Sequence, residues 1–236
     1  MLPFLEPEDP FPPLTGIRDD LGGLLAIGGG LAPTRLLDAY RQGLFPWGTL
    51  EEGYPLWYSP DPRMVLFPAA FRLTRSLRKT LRQGAFEVRF DQHFAGVIDG
   101  CAQTPRPGQP GTWISAEIRA AYLHLFELGW AHSVETYMHG ELVGGLYGLA
   151  IGRMFYGESM FSRRTDASKI AFAHLIRQLQ HRGIEMIDCQ MKTDHLASLG
   201  GQEISRADFL ARLTALTVGA AQPGPRWQRA DLDLEW

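Results

Sequence analysis

The chain has very little cysteine, no long apolar run and no excess of positive charge. Its two cysteines, Cys101 and Cys189, are too few for a disulfide framework or a cysteine-based metal site, which is typical of an intracellular protein. No window approaches the ~18 apolar residues that span a bilayer. The amino terminus also lacks the basic and apolar regions of a secretion signal. We therefore expect a cytoplasmic protein without membrane contact.

The formal net charge of −3 excludes a global attraction to polyanions, so any nucleic-acid contact must be a local patch. One such patch is predicted on a helix from Thr74 to Gln83, because no acidic residue lies between Phe71 and Phe86. Its basic residues recur at spacings of three and four and are Arg75, Arg78, Lys79 and Arg82. A solvated helix face is the alternative, but such faces normally mix signs. The pattern favours contact with a phosphate backbone.

The chain divides by composition into three parts. Residues 1–62 are rich in proline and glycine and predict a small N-terminal α/β domain, with a junction between Pro60 and Pro68. Residues 63–219 predict the larger domain, and residues 220–236 a loose C-terminal tail. Within the first part, five aromatic residues fall between positions 45 and 58. Because they lie among prolines and glycines, we expect these aromatic side chains on the protein surface rather than in a helix or sheet core. Packing between the domains is the alternative.

Hydrophobic periodicity predicts the elements of the larger domain. Alternation over 132–138, 141–150 and 153–161 indicates a meander of three antiparallel strands. A helix over 167–182 and an apolar strand over 184–190 follow, which favours local parallel pairing in a mixed, mostly antiparallel sheet. This α+β arrangement is that of GNAT-type acyltransferases. The loop at 162–168 has no glycine, however, which argues against a CoA pyrophosphate site there.

Three polar residues interrupt otherwise apolar strands, namely Glu158, Asp188 and Gln190. An unpaired buried carboxylate costs several kcal/mol, so each interruption needs a partner or a function. We expect the three to line one reaction site. Regular alternation would place Asp188 and Gln190 on one face of their strand, with Ile187 and Cys189 on the other. A Cys189 thiol nucleophile beside His195 is the alternative, although a cysteine on an apolar strand is more often inert.

Six motifs in a fixed order carry a resemblance to a known family. They are Gly-Leu-Phe-Pro-Trp (43–47), Trp-Tyr-Ser-Pro-Asp-Pro-Arg (57–63), Gly-Thr-Trp-Ile (111–114), Gly-Glu-Ser-Met-Phe-Ser (157–162), Ile-Asp-Cys-Gln (187–190) and His-Leu-Ala-Ser-Leu-Gly (195–200). Over roughly residues 15–215 the chain resembles the bacterial leucyl/phenylalanyl-tRNA–protein transferases. The resemblance implies transfer of Leu or Phe, occasionally Met, from aminoacyl-tRNA to the N-terminal Arg or Lys of a protein. It further implies a GNAT-like catalytic domain, degradation of the product as an N-degron, and no cofactor or metal.

The resemblance also implies roles for individual residues. Asp188 and Gln190 would form the catalytic pair, with Glu158 seating the acceptor. Trp47, Trp113 and Tyr40 would meet the 3′-terminal adenosine of the tRNA. The donor side chain would occupy a pocket formed by Leu146, Phe155, Met160, Phe172, Leu175 and Ile187. The basic helix would meet the acceptor stem of the tRNA.

The chemistry agrees with this assignment, because an aminoacyl ester is already activated and needs neither ATP nor metal. Asp188 could accept the proton or orient the amine, Gln190 could align the amine or polarise the carbonyl, and the ribose 2′-hydroxyl could shuttle the proton. A CoA-dependent N-acetyltransferase, a non-catalytic tRNA-binding module and an arginyl-donor transferase are the rival interpretations. We expect a monomer, and the preference between Leu and Phe stays open.

Overall fold

The computed structural model describes residues 2–105, 112–229 and 236. The N-terminal part contains a four-stranded sheet in the order β1-β2-β4-β3 and one helix. Its elements are β1 (Phe4–Leu5), β2 (Leu24–Gly28), α1 (Pro33–Arg41), β3 (Phe45–Thr49) and β4 (Pro55–Tyr58). Helix α1 begins at a proline, which the first helical position tolerates, and Gly43 follows it with a left-handed φ of 78°.

The aromatic segment predicted as a surface forms the antiparallel pair β3 and β4, so that prediction is wrong for its two buried rings, Phe45 and Trp57. Trp57 is fully buried, and its indole N–H donates to the carbonyl oxygen of Gly28 at 2.8 Å. Phe45 is also buried. Prolines do not prevent this pairing, because Pro46 lies on the edge strand β3 and Pro55 is the first residue of β4, and a missing N–H is tolerated at both kinds of position. The other three rings keep some exposure: Trp47 and Tyr58 are half-buried, and Tyr54 is exposed.

The larger part contains a seven-stranded sheet in the order β11-β5-β10-β9-β8-β7-β6. Its strands are β5 (Arg63–Leu66), β6 (Glu87–Phe90), β7 (Ala131–Met138), β8 (Glu141–Ile151), β9 (Met154–Ser162), β10 (Met186–Gln190) and β11 (Gln202–Ile204). Its helices are α2 (Arg75–Gln83), α3 (Phe94–Ala102), α4 (Ala116–Glu127), α5 (Ala167–His181), α6 (Asp194–Ser198) and α7 (Arg206–Thr217). Strands β9 and β10 pair in parallel, and the other neighbours are antiparallel. The predicted α+β class and mixed sheet are confirmed.

Strand β5 was not predicted, because it lies within the segment interpreted as a junction. It is buried between β11 and β10. The two sheets do separate between Tyr58 and Arg63, close to the predicted boundary at residue 62. Independent domains nevertheless stay a prediction, because one hydrophobic core includes Trp57 from the small sheet and Val65 from the large one.

The basic helix forms over the predicted residues. The Thr74 hydroxyl accepts a hydrogen bond from the Leu77 N–H at 3.2 Å, and Gly84 ends the helix with a left-handed φ of 64°. Leu77 and Leu81 are buried against the large sheet's hydrophobic cluster. The four basic side chains are exposed on the other face and are Arg75, Arg78, Lys79 and Arg82.

The tail predicted to be loose is packed at Trp227, which is 3% exposed. Its indole stacks on His132 with the ring centroids 4.1 Å apart, and its backbone N–H donates to Asp91 Oδ2 at 2.8 Å. A single buried tryptophan supplies enough apolar area to anchor a segment whose composition is otherwise that of a coil. Residues 106–111 of the proline-rich loop and 230–235 of the tail lie outside the described residues.

Candidate functional site

The site opens where β9 and β10 separate. Their parallel ladder runs from the Met186–Met154 pair to the Asp188–Tyr156 pair. Strand β9 continues alongside β8 to Ser162, whereas β10 ends at Gln190. The residues that follow the last paired positions on both strands line a pocket of about 410 Å³. Strand divergence therefore opens the space into which these residues project.

Each diverging strand carries a β-bulge at this point. On β9, Ser159 pairs with Tyr147 and Gly157 with Gly148, so Glu158 is the extra residue. On β10, the pairing with β5 skips Cys189, and Gln190 adopts a left-handed φ of 56°. Bulges re-aim side chains and are frequent beside active sites. The two bulges bring Glu158, Cys189 and Gln190 into the same pocket lining.

The six residues predicted to hold the donor side chain all line this pocket. Five of them are buried members of one hydrophobic cluster, and the sixth packs against it. They are Leu146, Phe155, Met160, Phe172, Leu175 and Ile187. The structure thus brings together residues from strands β8, β9 and β10 and from helix α5 in one apolar wall.

Trp47 and Trp113 line the pocket from the side of the small sheet, and both are half-buried. Each packs against the other hydrophobic cluster of the molecule, so they face the apolar wall as a second surface. Trp47 is held edge-on against Tyr58, with the ring centroids 5.5 Å apart. Their accessible rings are suited to stacking on a planar base.

Tyr40 differs from the prediction that it meets the adenosine. It is fully buried and presents no ring to the pocket, because α1 packs it against Tyr156 with the ring centroids 4.7 Å apart. Its hydroxyl instead donates to Glu158 Oε1 at 2.7 Å. Tyr40 therefore positions a pocket residue rather than a ligand.

Glu158 is the carboxylate that reaches the pocket. Tyr40 donates to one of its oxygens, and Tyr122 donates to the other at 2.8 Å. The two tyrosine hydroxyls also lie within hydrogen-bond distance of each other, but each has a single proton, so neither can donate to the other while both donate to Glu158. Burial raises the pKa of Glu158 to about 7, although both tyrosine hydrogen bonds act to lower it. Glu158 therefore changes charge near neutral pH.

Asp188 lies on the opposite side of β10 from the pocket. It is fully buried, and its carboxylate forms a two-pronged ion pair with Arg63, with Nε–Oδ1 at 2.8 Å and Nη2–Oδ2 at 2.6 Å. Asp188 Oδ1 also accepts the backbone N–H of Gln190 at 2.9 Å. The expectation that Asp188 and Gln190 share one face is wrong, because the bulge at Cys189 interrupts the alternation. Ile187, Cys189 and Gln190 line the pocket, whereas Asp188 supports it from behind.

The Cys189 side chain is unsuited to nucleophilic attack. Burial raises the pKa of its thiol well above the ordinary value, and the nearby Asp188 charge raises it further. The reactive form of a cysteine is the thiolate. A thiol nucleophile is therefore disfavoured by the site as well as by the sequence.

The four basic residues of α2 have no acidic side-chain partner among the described residues. Arg82 uses its Nε–H to donate to the backbone oxygen of Trp236 at 2.7 Å. Through Leu77 and Leu81, α2 rests on the same hydrophobic cluster as the apolar wall of the pocket.

Two residues of the site have no role in the sequence-based prediction. They are Tyr122 and Arg63, which hold the two carboxylates. His195, which the sequence suggests only as a neighbour of Cys189, lines the pocket from α6. A signal for Arg63 does exist in the sequence. It is a single cation beginning an apolar strand, just as Asp188 is a single anion within another.

Neither a metal-binding cluster nor a membrane-spanning helix is found in the part of the chain that the structure describes. No group of three or more His, Cys, Asp or Glu side chains there could hold a metal ion. None of the helices in those ranges is long and apolar enough to cross a membrane.

Comparison with solved structures gives distant matches. One is the structure titled L-PGS from Bacillus licheniformis, at 11% identity and a TM-score of 0.41, covering 63% of this chain and 48% of that one. Another is a GCN5-related N-acetyltransferase from Kribbella flavida, at 14% identity and a TM-score of 0.34, covering 61% and 55%. The chain thus spans about half the length of these two structures.

Comparison with known sequences gives near matches over the whole chain. The family described as leucyl/phenylalanyl-tRNA protein transferase matches residues 65–214, and its N-terminal domain matches residues 29–61. The protein named leucyl/phenylalanyl-tRNA–protein transferase in Dechloromonas aromatica is 67% identical over 99% of both chains. The protein of the same name in Aromatoleum aromaticum is 58% identical over 96% of this chain and 94% of its own. This chain belongs to the leucyl/phenylalanyl-tRNA protein transferase family.

Proposed function

We propose that this protein transfers Leu or Phe, and occasionally Met, from aminoacyl-tRNA to the N-terminal Arg or Lys of a protein, forming a peptide bond. The observation that carries the proposal is the pocket between β9 and β10. It joins an apolar wall, two accessible tryptophans and the polar groups of Glu158 and Gln190 in one lining. The names of the relatives point to the same reaction.

The donor side chain occupies the apolar wall in this proposal. The wall is built from aliphatic and aromatic groups, including Phe155, Phe172 and Leu175. Such a wall discriminates by only ~1–3 kcal/mol per missing methylene, so Leu, Phe and Met are all accepted to some degree. The terminal adenosine stacks on Trp47 and Trp113, which is worth ~1–3 kcal/mol per base.

Gln190 is the residue that we place against the reacting ester. An aminoacyl ester needs no further activation, so the site has to orient the amine and stabilise charge on the carbonyl oxygen. The side-chain amide of Gln190 can do either. Because Asp188 is fully buried and ion-paired with Arg63, we assign it the support of Gln190 rather than direct proton transfer. Attack of the amine forms the amide and breaks the ester C–O bond. The proton that the amine loses ends on the leaving ribose oxygen, and the ribose 2′-hydroxyl, which the donor itself supplies, can relay it.

The Glu158 carboxylate is assigned to the cationic acceptor. A guanidinium or ammonium group that leaves water needs a carboxylate to replace its hydration. Glu158 is the acidic residue of the pocket lining. The product would be an N-degron marked for proteolysis, made in the cytoplasm by a monomeric enzyme; these points belong to the proposal.

The proposal is tested by incubating the purified protein with labelled Phe-tRNA and a peptide that begins with Arg. We expect labelled Phe at the peptide's N-terminus, and no labelling of the same peptide with an acetylated N-terminus. Failure to label any Arg- or Lys-initiated peptide would contradict the proposal. Acetyl-CoA in place of Phe-tRNA serves as the control for an N-acetyltransferase, and no acetylation is expected.

The exposed arginines of α2 are expected to contribute to tRNA affinity and not to chemistry. Replacing Arg75, Arg78 and Arg82 by alanine should weaken tRNA binding and flatten its dependence on salt, by about one unit of log–log slope for each phosphate that an arginine no longer neutralises. The rate at saturating tRNA should be unchanged. Filter binding across a salt series, together with single-turnover transfer, measures both quantities.

Arg153→Ala is the matched control for these arginines. Arg153 is also exposed, but its charge is already paired with Glu185. Its removal should leave the salt slope unaltered. An unchanged slope in the triple variant as well would show that α2 is only a solvated helix face.

A further inference from the structure

The guanidinium of Arg63 lies between two aromatic rings in the interior. Its central carbon is 4.7 Å from the centroid of Phe45 and 4.5 Å from that of Phe209. Arg63 itself is fully buried on β5, at 0% exposed. One nitrogen, Nη1, has no hydrogen-bond partner among the described residues. An arginine this costly to bury calls for an explanation beyond packing.

Behind the pocket, Arg63 contacts the Phe45 ring on one side and the Asp188 carboxylate on the other. Phe45 lies on β3, and it lines the pocket together with the next residues, Pro46 and Trp47. On the other side, the ion pair with Asp188 holds the carboxylate oxygen that accepts the Gln190 N–H. The Arg63 guanidinium therefore connects the segment that carries Trp47 with the bulge that carries Gln190.

The bulge needs such support, because Gln190 adopts a left-handed φ of 56°. A residue other than glycine is disfavoured there unless its surroundings impose that conformation. The only side-chain group seen to fix the Gln190 backbone within the described residues is the Asp188 carboxylate. That carboxylate is in turn fixed by the two-pronged pairing with Arg63.

We propose that Arg63 is a positioning residue for the transfer reaction, which sets the place of the Gln190 side chain by way of Asp188. The inference rests on the proposed function, since Gln190 is there assigned to the reacting ester. Arg63 touches no substrate. Its planar fork and its stacking between two rings make lysine an inadequate substitute, because lysine keeps the charge but loses the fork geometry.

The test is a double-mutant cycle between Arg63→Lys and Gln190→Ala. Alone, Arg63→Lys should lower the single-turnover rate on the order of 10²-fold, as expected for a misplaced group, with little change in the KM for Phe-tRNA. In the Gln190→Ala background it should cause no further loss, because the group it positions is already gone. Equal losses in both backgrounds, or no loss at all, would overturn the inference.

A second variant covers the case in which Arg63→Lys does not fold. Phe209→Leu removes one ring of the sandwich from α7, outside the pocket lining. Alone, Phe209→Leu should lower the transfer rate by less than Arg63→Lys does. In the Gln190→Ala background it should cause no further loss. Arg35→Lys is the matched control: Arg35 is 8% exposed and lies 4.8 Å over the Phe11 ring, yet it does not line the pocket. This substitution should lower stability and leave the transfer rate unchanged.

A readout without transfer separates this inference from the proposed function. Arg63→Lys should accelerate amide hydrogen exchange at Gln190, whose N–H is bonded to Asp188, with little effect at Ile187 inside the ladder. Uniform acceleration along β10 would indicate general destabilisation and count against positioning. If wild-type protein fails to transfer Phe, the proposed function fails, while the exchange result still decides whether Arg63 fixes Gln190.

Discussion

Replacing Asp188 by alanine is expected to lower the free energy of unfolding by about 3–5 kcal/mol and to nearly abolish transfer. Both Asp188 and Arg63 are 0% exposed, so the change leaves an uncompensated guanidinium in the interior. It also removes the acceptor for the Gln190 N–H, which frees the bulge beside the pocket. Urea unfolding and single-turnover transfer at a temperature where the variant is folded measure the two effects separately.

Two further variants separate stability from catalysis at this site. Replacing the pair together, as Arg63→Met with Asp188→Leu, should recover much of the missing stability, because no buried charge remains. It should not recover transfer, because Gln190 still lacks its support. Asp99→Ala is the control for an ion pair near the surface: Asp99 and Arg119 are 43% and 39% exposed, and such pairs contribute at most about 1 kcal/mol. An active double variant would show that Asp188 matters only for folding.

The local elements were predictable because their signals are local. The meander over β7, β8 and β9 follows from alternation between turns, and α2 follows from its Thr74 cap and Gly84 stop. The short strand β5 was not predictable in this way. Its partners β10 and β11 come more than a hundred residues later, and one arginine followed by three apolar residues is too short a segment to show a hydrophobic period.

Some of the site residues were likewise predictable from the sequence, and others were not. The apolar wall of the pocket followed from the family resemblance, and all six of its residues meet in the structure. The orientation of Asp188 could not be predicted from the sequence. It depends on the bulge in β10, and a bulge shifts the alternation of side chains without a distinct residue pattern. The ion pair of Arg63 with Asp188 joins positions 125 apart in the chain. Only the sheet order brings such residues together.

Glu158→Gln is expected to reduce transfer to an Arg-initiated peptide by a factor of roughly 10–150 in kcat/KM, the equivalent of about 1.5–3 kcal/mol for a hydrogen bond to a charged group. The amide keeps the size of the carboxyl group but cannot neutralise a cation. Discrimination between peptides beginning with Arg and with its neutral analogue citrulline should therefore collapse. Competition between the two peptides in one reaction measures that ratio directly. Unchanged discrimination would remove Glu158 from the acceptor site.

The same variant should alter the pH dependence in two opposite ways. Because the pKa of Glu158 is about 7, wild-type transfer to Arg peptides should fall as pH drops through 7, beyond the loss caused by the acceptor amine, whose pKa is ~7.7–8.0. Glu158→Gln should lack that additional limb. A carboxyl whose pKa is raised on folding favours the folded state less as pH rises from its unfolded pKa towards 7. At pH 8 the variant should therefore have a higher Tm than wild type while transferring more slowly, so a lower Tm would contradict this account of Glu158.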